Sequence, residues 1–248
     1  MSERLGVAII GTGTIANAHM RSLEHHAPAH VVAVYDVLHD RAEAFAQKWN
    51  IGVVASDLDK VLSRSDIDAV IVSTPPVAHK GPTIAALEAG KHVLCEKPFA
   101  FDPAEAEAMT ETAERVGKHL AVCSARQRVW AASRKAQELA STGALGDVYH
   151  VRSSAFRFRG RPGIDILRDV HWFIDYARAG GGALIDIGVY QIDALLWILG
   201  NPKVTSVLCS TKMGIGDPVA EPRVQDVEDH AVLMFTCEGG KSGILEIT

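Results

Sequence analysis

Short apolar runs alternate with longer amphipathic stretches through the first half of the chain. Residues 5–10, 31–35, 53–54, 69–72, 93–95 and 120–123 read as strands. Between them, helices are expected from Ala16 to about His26 and over 41–49, 57–62, 78–89 and 103–116. Gly90 and Gly117 close the last two, and Pro103 after Asp102 is a good first helical position. The apolar run 93–95 passes into Glu96-Lys97-Pro98, where the proline cannot continue a ladder and biases Lys97 toward an extended conformation, so the strand stops there. Repeated strand–helix alternation predicts a parallel sheet covered on both faces, and no fixed-period repeat suggests a solenoid.

After Ala125 this alternation ends. A helix is expected over 129–140, closing near Gly143, then an alternating strand over 148–158 with arginines at 152, 157 and 159. An irregular Gly-, Pro- and Arg-containing segment follows to Asp169, then His171-Trp172-Phe173. Gly180-Gly181-Gly182 punctuates before a long helix over 183–199. Further strands are expected over 204–212, 230–236 and 242–248, with a polar loop over 214–229. Strands in succession after one helix predict an antiparallel or mixed sheet in a second domain. The expected division is 1–124 and 125–248.

Gly11-Thr12-Gly13-Thr14-Ile15-Ala16 sits between a strand and a helix, and Asp36 ends the next strand. Gly11 permits the tight turn, Gly13 lets backbone approach a pyrophosphate at the helix N-terminus, and Ala16 allows close packing. This context predicts a dinucleotide site. Asp36 accepts from the adenosine ribose hydroxyls and repels a 2′-phosphate, which favours NAD over NADP. Arg41 is either a surface residue or a group reaching a phosphate. On the helix over 183–199, Asp186, Tyr190 and Asp193 stand at i, i+4 and i+7, so two carboxylates and a phenol share one face. Either Asp186 caps the helix or this face lines a substrate pocket.

Composition adds exclusions. The chain has 248 residues, is 48% hydrophobic and 22% charged, and carries a net charge of -5 with both signs interspersed. That gives no reason to expect nucleic acid or an anionic membrane as partner. The N-terminus lacks a signal-peptide pattern, and no apolar run is expected to span a membrane. Cys95, Cys123, Cys209 and Cys237 are scattered over strand-like runs. They predict reduced, packed thiols in a cytoplasmic protein. The eleven histidines lack metal-ligand spacing, and His25-His26 reads as a solvated helix end, so no metal is expected.

Four segments together resemble the Gfo/Idh/MocA (glucose-fructose oxidoreductase and inositol dehydrogenase) family: Gly11 to Ala16, Ser73-Thr-Pro-Pro-Val-Ala-His79, Ala89-Gly-Lys-His-Val-Leu-Cys-Glu-Lys-Pro98, and Gly180-Gly-Gly-Ala-Leu-Ile-Asp-Ile-Gly-Val-Tyr-Gln-Ile-Asp193. The resemblance covers essentially the whole chain. It implies an α/β protein with an N-terminal Rossmann dinucleotide-binding domain and a C-terminal α/β domain. The second domain's open, mainly antiparallel sheet supports homo-oligomers, dimers or tetramers. It also implies that Lys97 is the catalytic lysine of Glu-Lys-Pro and that Asp186 is a substrate-site aspartate. Where the family often has histidine, Tyr190 stands, as in the glucose-fructose oxidoreductase and dihydrodiol dehydrogenase branch where tyrosine takes the acid/base role. Relatives continue past the equivalent of Thr248. Either the second domain is cut short within a strand or its last strands are absent, which would expose a sheet edge and remove part of the pocket.

The expected reaction is hydride transfer between nicotinamide and a secondary hydroxyl of a sugar, polyol or similar small molecule. Tyr190 accepts the hydroxyl proton, Lys97 stabilises the phenolate, and Asp186 orients Lys97 or a substrate hydroxyl. Thr74 and Pro76 are expected at the cofactor, and His79 is either a wall of that pocket or structural. Glu96 is expected to anchor backbone beside it. Trp172 either stacks on a sugar or packs in the core. The arginines over 152–168 either recognise an acidic substrate or line a solvated face. Alternatives are an NAD-dependent glycoside hydrolase of the same fold and a non-catalytic cofactor-binding regulatory protein.

Overall fold

The computed structural model describes residues 4–25, 28–157, 160–215 and 225–248. The expectations on Met1 to Glu3, His26, Phe158, Arg159 and most of the polar loop over 214–229 fall outside them. The chain forms two compact units, Met1–Cys123 and Ser124–Thr248.

In the first unit, β1 (Leu5–Ile10), β2 (Ala29–Tyr35), β3 (Val53–Val54), β4 (Ala69–Val72), β5 (His92–Cys95) and β6 (Leu120–Val122) alternate with α1 (Thr14–Glu24), α2 (His39–Trp49), α3 (Leu58–Leu62), α4 (Lys80–Glu88) and α5 (Pro103–Val116). The strands pair in parallel in the order β3-β2-β1-β4-β5-β6. Chain order reverses between β1 and β4, which is where an open α/β sheet leaves a crevice at its carboxyl ends. Separate apolar clusters cover the two faces: Ile10, Val70, Val72, Leu87 and Val93 on one, Ile9, Val34, Phe45 and Ile71 on the other.

Helix boundaries follow local chemistry. Asp57 and Asp102 cap α3 and α5 by accepting from the Lys60 and Glu105 N–H groups. Asn50 and Gly117 end α2 and α5 in the left-handed conformation. The helix expected from residue 78 starts instead at Lys80, because Pro76–Ala78 forms a 3-10 turn first. Helix α2 begins two residues earlier than its alanine-rich stretch suggests, at His39.

In the second unit, α6 (Ala131–Ser141), β7 (His150–Ala155) and α7 (Tyr176–Ala179) precede a π-helical turn, Leu184–Gly188, that runs into α8 (Val189–Ile198). Then come β8 (Val204–Lys212), β9 (His230–Cys237) and β10 (Ser242–Ile247), in a sheet ordered β7-β10-β9-β8. Only β10 and β7 run parallel, so the sheet is mixed and mostly antiparallel. The run ending at Thr248 therefore lies between β7 and β9, and among the described residues the outer strands are β7 and β8. Leu195 and Leu199 of the helical layer pack on Leu233, Phe235, Leu245 and Ile247.

Two expectations are corrected. By length and composition the helical stretch Tyr176–Ile198 is apolar enough to cross a membrane, contrary to the reading that no run is. Gly180, at φ 77°, breaks the stretch after α7, and its apolar side chains, Leu184, Ile187, Ile192 and Leu196 among them, pack on the sheet as a core helix does. The four cysteines are free, but they are not all packed. Cys95 and Cys237 are buried and Cys123 is partly buried, while Cys209 is exposed on the edge strand β8.

Close backbone approach sets one sharp requirement. A side chain at Gly6 would run into the Asp66 carbonyl, and the Gly6 N–H donates to Asp68 Oδ2 at 2.8 Å. Gly6→Ala should destabilise the first unit by about 1–3 kcal/mol, the usual cost of overpacking. The check is the midpoint of thermal unfolding; an unchanged midpoint would show that the approach is not limiting.

Candidate active site

The crevice between β1 and β4 is built by two glycines with different tasks. Gly11 has φ 89°, and a Cβ there would press on the Ser73 carbonyl and the Thr74 nitrogen at 2.8–2.9 Å. Only glycine meets both demands. Ser73 closes the seam, its N–H donating to the Ile10 carbonyl and its hydroxyl to the Gly11 carbonyl. At Gly13 a Cβ would meet nothing within 4 Å, so the space above the start of α1 is open. The N-cap of α1 is Gly13, which has no side chain to cap it, and the first turn carries no acid. Its leading N–H groups, with Thr14 and Ile15 exposed around them and Ala16 fully buried beneath, are thus available to an anion. That arrangement fits a dinucleotide pyrophosphate.

Asp36, at the end of β2, is buried. Its carboxylate accepts from the Thr12 N–H (2.7 Å) and hydroxyl (3.0 Å), the Leu38 N–H (2.9 Å), and Arg41 through Nε and Nη2. Burial alone would raise its pKa. The backbone N–H groups and the guanidinium outweigh that and hold the carboxyl below the usual range. Arg41 is thus neither a bystander nor a free cation, but a bidentate partner of Asp36.

The β4 exit carries Thr74, Pro76 and His79. Pro76 is buried in the 3-10 turn, and the Thr74 hydroxyl donates to the Ala78 carbonyl. His79 is 1% exposed, with Nε2 at 2.8 Å from the Thr74 carbonyl and Nδ1 at 3.3 Å from the Phe99 carbonyl. Burial pushes its pKa down. A neutral ring has one N–H, so the shorter Nε2 contact is the donated bond. The donated bond closes the turn after β4 on itself, with the Phe99 carbonyl beside the other ring nitrogen.

At the β5 exit, Glu96 is buried. One carboxylate oxygen lies 2.8 Å from His19 Nε2 on α1, and the other accepts the Lys97 N–H at 3.0 Å. Burial raises the Glu96 pKa, but His19 and the Lys97 N–H overcome it and keep the carboxyl below its usual value. Lys97 itself is half-buried, and a cis peptide joins it to Pro98. Cys123, after β6, completes a group with His19 and Glu96 whose ligand atoms all lie within 4.8 Å of one another. Spacing along the chain hides this cluster, since its members come from a helix and two strand exits.

In the second unit, Asp186 and Ile187 line a cavity of about 300 Å³, with Arg157, Arg161, Phe173 and Asp229 among its other walls. Tyr190 is buried but does not line it, and Asp193 is held in a bidentate ion pair with Arg128 at 2.7–2.8 Å. Of the three, Asp186 lines the cavity, and it sits within a π-helical turn, Leu184–Gly188. Trp172 stacks on Phe173 with ring centroids 3.8 Å apart. Arg161 is spent on Asp165, Asp229 and the Ile215 carbonyl. Burial would raise Asp165, yet Arg161 and neighbouring N–H groups hold it at about 2.

Sequence reading passed over Arg126 and Arg128, in the segment after β6. The Arg126 guanidinium lies 4.0 Å from the centroid of the Tyr190 ring. Two arginines two residues apart, Arg126-Gln127-Arg128, were the available signal.

Several known proteins share this architecture. D-glucoside 3-dehydrogenase of Escherichia coli is 35% identical, covering 98% of this chain and 69% of its own length. The 1,5-anhydro-D-fructose reductase of Ensifer adhaerens is 29% identical, over 87% of this chain and 63% of its own. Among solved structures, GenD2 from gentamicin A biosynthesis in complex with NAD superposes with TM-score 0.84 at 27% identity, covering 99% of this chain and 66% of GenD2. The aldose-aldose oxidoreductase of Caulobacter crescentus complexed with glycerol gives 0.84 at 28% identity, over 99% and 71%. This chain thus spans about two thirds of the length of the relatives it matches. Residues 5–124 match the oxidoreductase family model with its NAD-binding Rossmann fold, residues 133–248 match the GFO/IDH/MocA C-terminal domain, and the chain belongs to that family.

Proposed function

We propose that this protein transfers hydride between NAD and a secondary hydroxyl of a sugar or polyol. The observation that carries the reading is the crevice at β1 and β4, with its uncapped helix start, open Gly13 and ionised Asp36, set in a family whose relatives are sugar dehydrogenases and reductases. Those relatives favour net redox chemistry over net hydrolysis or a purely regulatory role. NAD, when bound, supplies the hydride-accepting carbon; the chain's residues do the rest. The N–H groups at Gly13 and the start of α1 take the pyrophosphate, Asp36 the adenosine ribose, and Thr12, Thr74 and Pro76 frame the crevice.

Oxidising a carbinol requires its hydroxyl proton to leave as hydride departs. Tyr190 is the proton acceptor in this reading. A phenol, with a free pKa of about 10, is a weak base near neutrality unless a cation favours its anion. Lys97 supplies one such charge and also stabilises the developing alkoxide. The structure adds Arg126, whose guanidinium stands over the Tyr190 ring. Asp186, four residues before Tyr190 on the same helical stretch, orients a substrate hydroxyl. Glu96 fixes the backbone of Lys97, and His79 holds the turn that carries Thr74.

Self-association is proposed through the second unit's sheet. Its edge strand β8 is exposed along its whole length, with Val207 and Leu208 outermost, and Met234 of β9 is exposed beside it. A cytoplasmic location is the companion reading, on the four free cysteines.

Lys97→Ala should keep NAD binding while turnover falls ~10²–10³-fold, the scale of one lost transition-state donor. Tyr190→Phe should cost ~10²–10⁴-fold. Removing the cation in Arg126→Gln disfavours the phenolate, so the acidic limb of the pH–rate profile should move to higher pH. Steady-state rates on a sugar and polyol panel test all three, and near-normal rates for Lys97→Ala or Tyr190→Phe would overturn the assignment.

Asp36→Ala should reduce the preference for NAD over NADP by ~10-fold or more, since a charge-assisted hydrogen bond contributes about 1.5–3 kcal/mol. The comparison is kcat/KM for the two cofactors. An unsubstituted protein that prefers NADP would refute the role given to Asp36.

Leu208→Lys should shift the protein toward monomers in light scattering. If the unsubstituted protein is itself monomeric at working concentration, association through this sheet is excluded.

A further inference from the structure

His19, Glu96 and Cys123 have a makeup that hydride transfer does not call for: an imidazole, a carboxylate and a thiol converging at the carboxyl ends of β5 and β6 beside α1. Glu96 is buried and the side chains of His19 and Glu96 are 14% and 8% exposed, so this is not a solvated acidic patch. From these residues we propose a Zn²⁺-binding site with three protein ligands, His19 Nε2, a Glu96 carboxylate oxygen and Cys123 Sγ, that inhibits turnover when filled.

The donor set is the mixture of nitrogen, sulfur and oxygen that Zn²⁺ accepts, and three protein ligands leave a fourth position for water. A tetrahedral centre with bonds of about 2.0–2.3 Å places its ligand atoms roughly 3.3–3.8 Å apart. The three atoms already lie within 4.8 Å, and the His19–Glu96 contact of 2.8 Å need open only modestly. The second Glu96 oxygen is held by the Lys97 N–H at 3.0 Å, an outer-shell contact that fixes the carboxylate's direction.

Binding breaks the Cys123 S–H bond and the His19–Glu96 hydrogen bond and forms one bond from each residue to the metal. The thiol proton leaves to the buffer, so binding tightens as pH rises. Burial and the Glu96 charge push the Cys123 thiol up in the metal-free protein, while the Lys97 ammonium acts in the opposite sense. Metal ligation therefore competes with the proton for this sulfur. Ligation also draws toward the metal the carboxylate that accepts the Lys97 N–H, so filling the site shifts the backbone that sets Lys97. The ligation stands on geometry alone; its inhibitory effect rests on the role proposed for Lys97.

The test uses the full chain with Cys209→Ser, which removes the exposed thiol, titrated with Cd²⁺ as a spectroscopic stand-in for Zn²⁺. A thiolate-to-cadmium charge-transfer absorbance saturating at one equivalent, released by added Zn²⁺, is expected. Cys123→Ser should abolish it, and His19→Asn should weaken binding ~10-fold or more, since even an outer-shell partner contributes that much. Circular dichroism checks that the variants fold, and Cys123→Ala replaces Cys123→Ser if that variant does not. No band at one equivalent, or a band that neither substitution alters, overturns the site. NADH formation measured over the same Zn²⁺ range decides the second half. A band with undiminished turnover overturns the inhibition and leaves the ligation standing.

Discussion

Of the two buried carboxylates in the first unit's site, Asp36 and Glu96, the second ties its elements together. Glu96 sits where β5 leaves the sheet, and taking an unpaired carboxylate out of water costs several kcal/mol. It stays ionised because His19 meets one oxygen and the Lys97 N–H the other. Each partner thereby acquires a fixed place: α1 is drawn to the β5 exit by His19, and the Lys97 backbone is set before Pro98 ends the strand. Removing either partner would leave a buried charge less compensated, so the strand exit and the start of the cofactor helix are energetically one unit.

A comparable carboxylate organises the second unit. Glu228 accepts the Gly182 N–H at 2.7 Å and the Leu184 N–H at 2.9 Å, while its backbone carbonyl accepts the Ala183 N–H at 3.0 Å. These are the leading donors of the long helix, which otherwise lack partners. Such an approach leaves no room for a side chain at Gly182, whose Cβ would run into the Glu228 carbonyl. The glycine run is therefore not mere punctuation. It lets a distant acid reach the helix start, immediately before the π-helical turn that directs Asp186 to the cavity. Glu228 thus meets the N–H groups of Gly182 and Leu184 at the helix start.

What could be read from sequence follows the range of the forces involved. The six parallel strands and their helices were legible because apolar runs, caps at Asp57 and Asp102, and stops at Asn50 and Gly117 are all local. The Gly11–Gly13 turn was legible because its two glycines, the flanking strand and helix, and Asp36 constrain one another. Long-range pairings were not legible. Nothing local in the sequence foretells that Glu228 caps a helix 44 residues earlier or that Arg128 claims Asp193, 65 residues on. The π-helical turn over Leu184–Gly188 was not legible either, because helical periodicity assumes α geometry throughout.

The Asp36–Arg41 pair shows how a partner alters a functional reading. As a bare carboxylate, Asp36 would offer both oxygens to ribose hydroxyls and simply repel a 2′-phosphate. In the structure both oxygens already accept hydrogen bonds, and the guanidinium that saturates them is about half exposed. A ribose hydroxyl must then share or displace Arg41, while a phosphate could draw Arg41 away from Asp36 at the cost of a buried carboxylate losing its cation. The Thr12 and Leu38 N–H groups remain in either case, so Asp36 keeps its charge and the preference tilts toward NAD. In the proposed reading, cofactor choice is thus a competition for one guanidinium, with the two backbone donors setting which side holds the advantage.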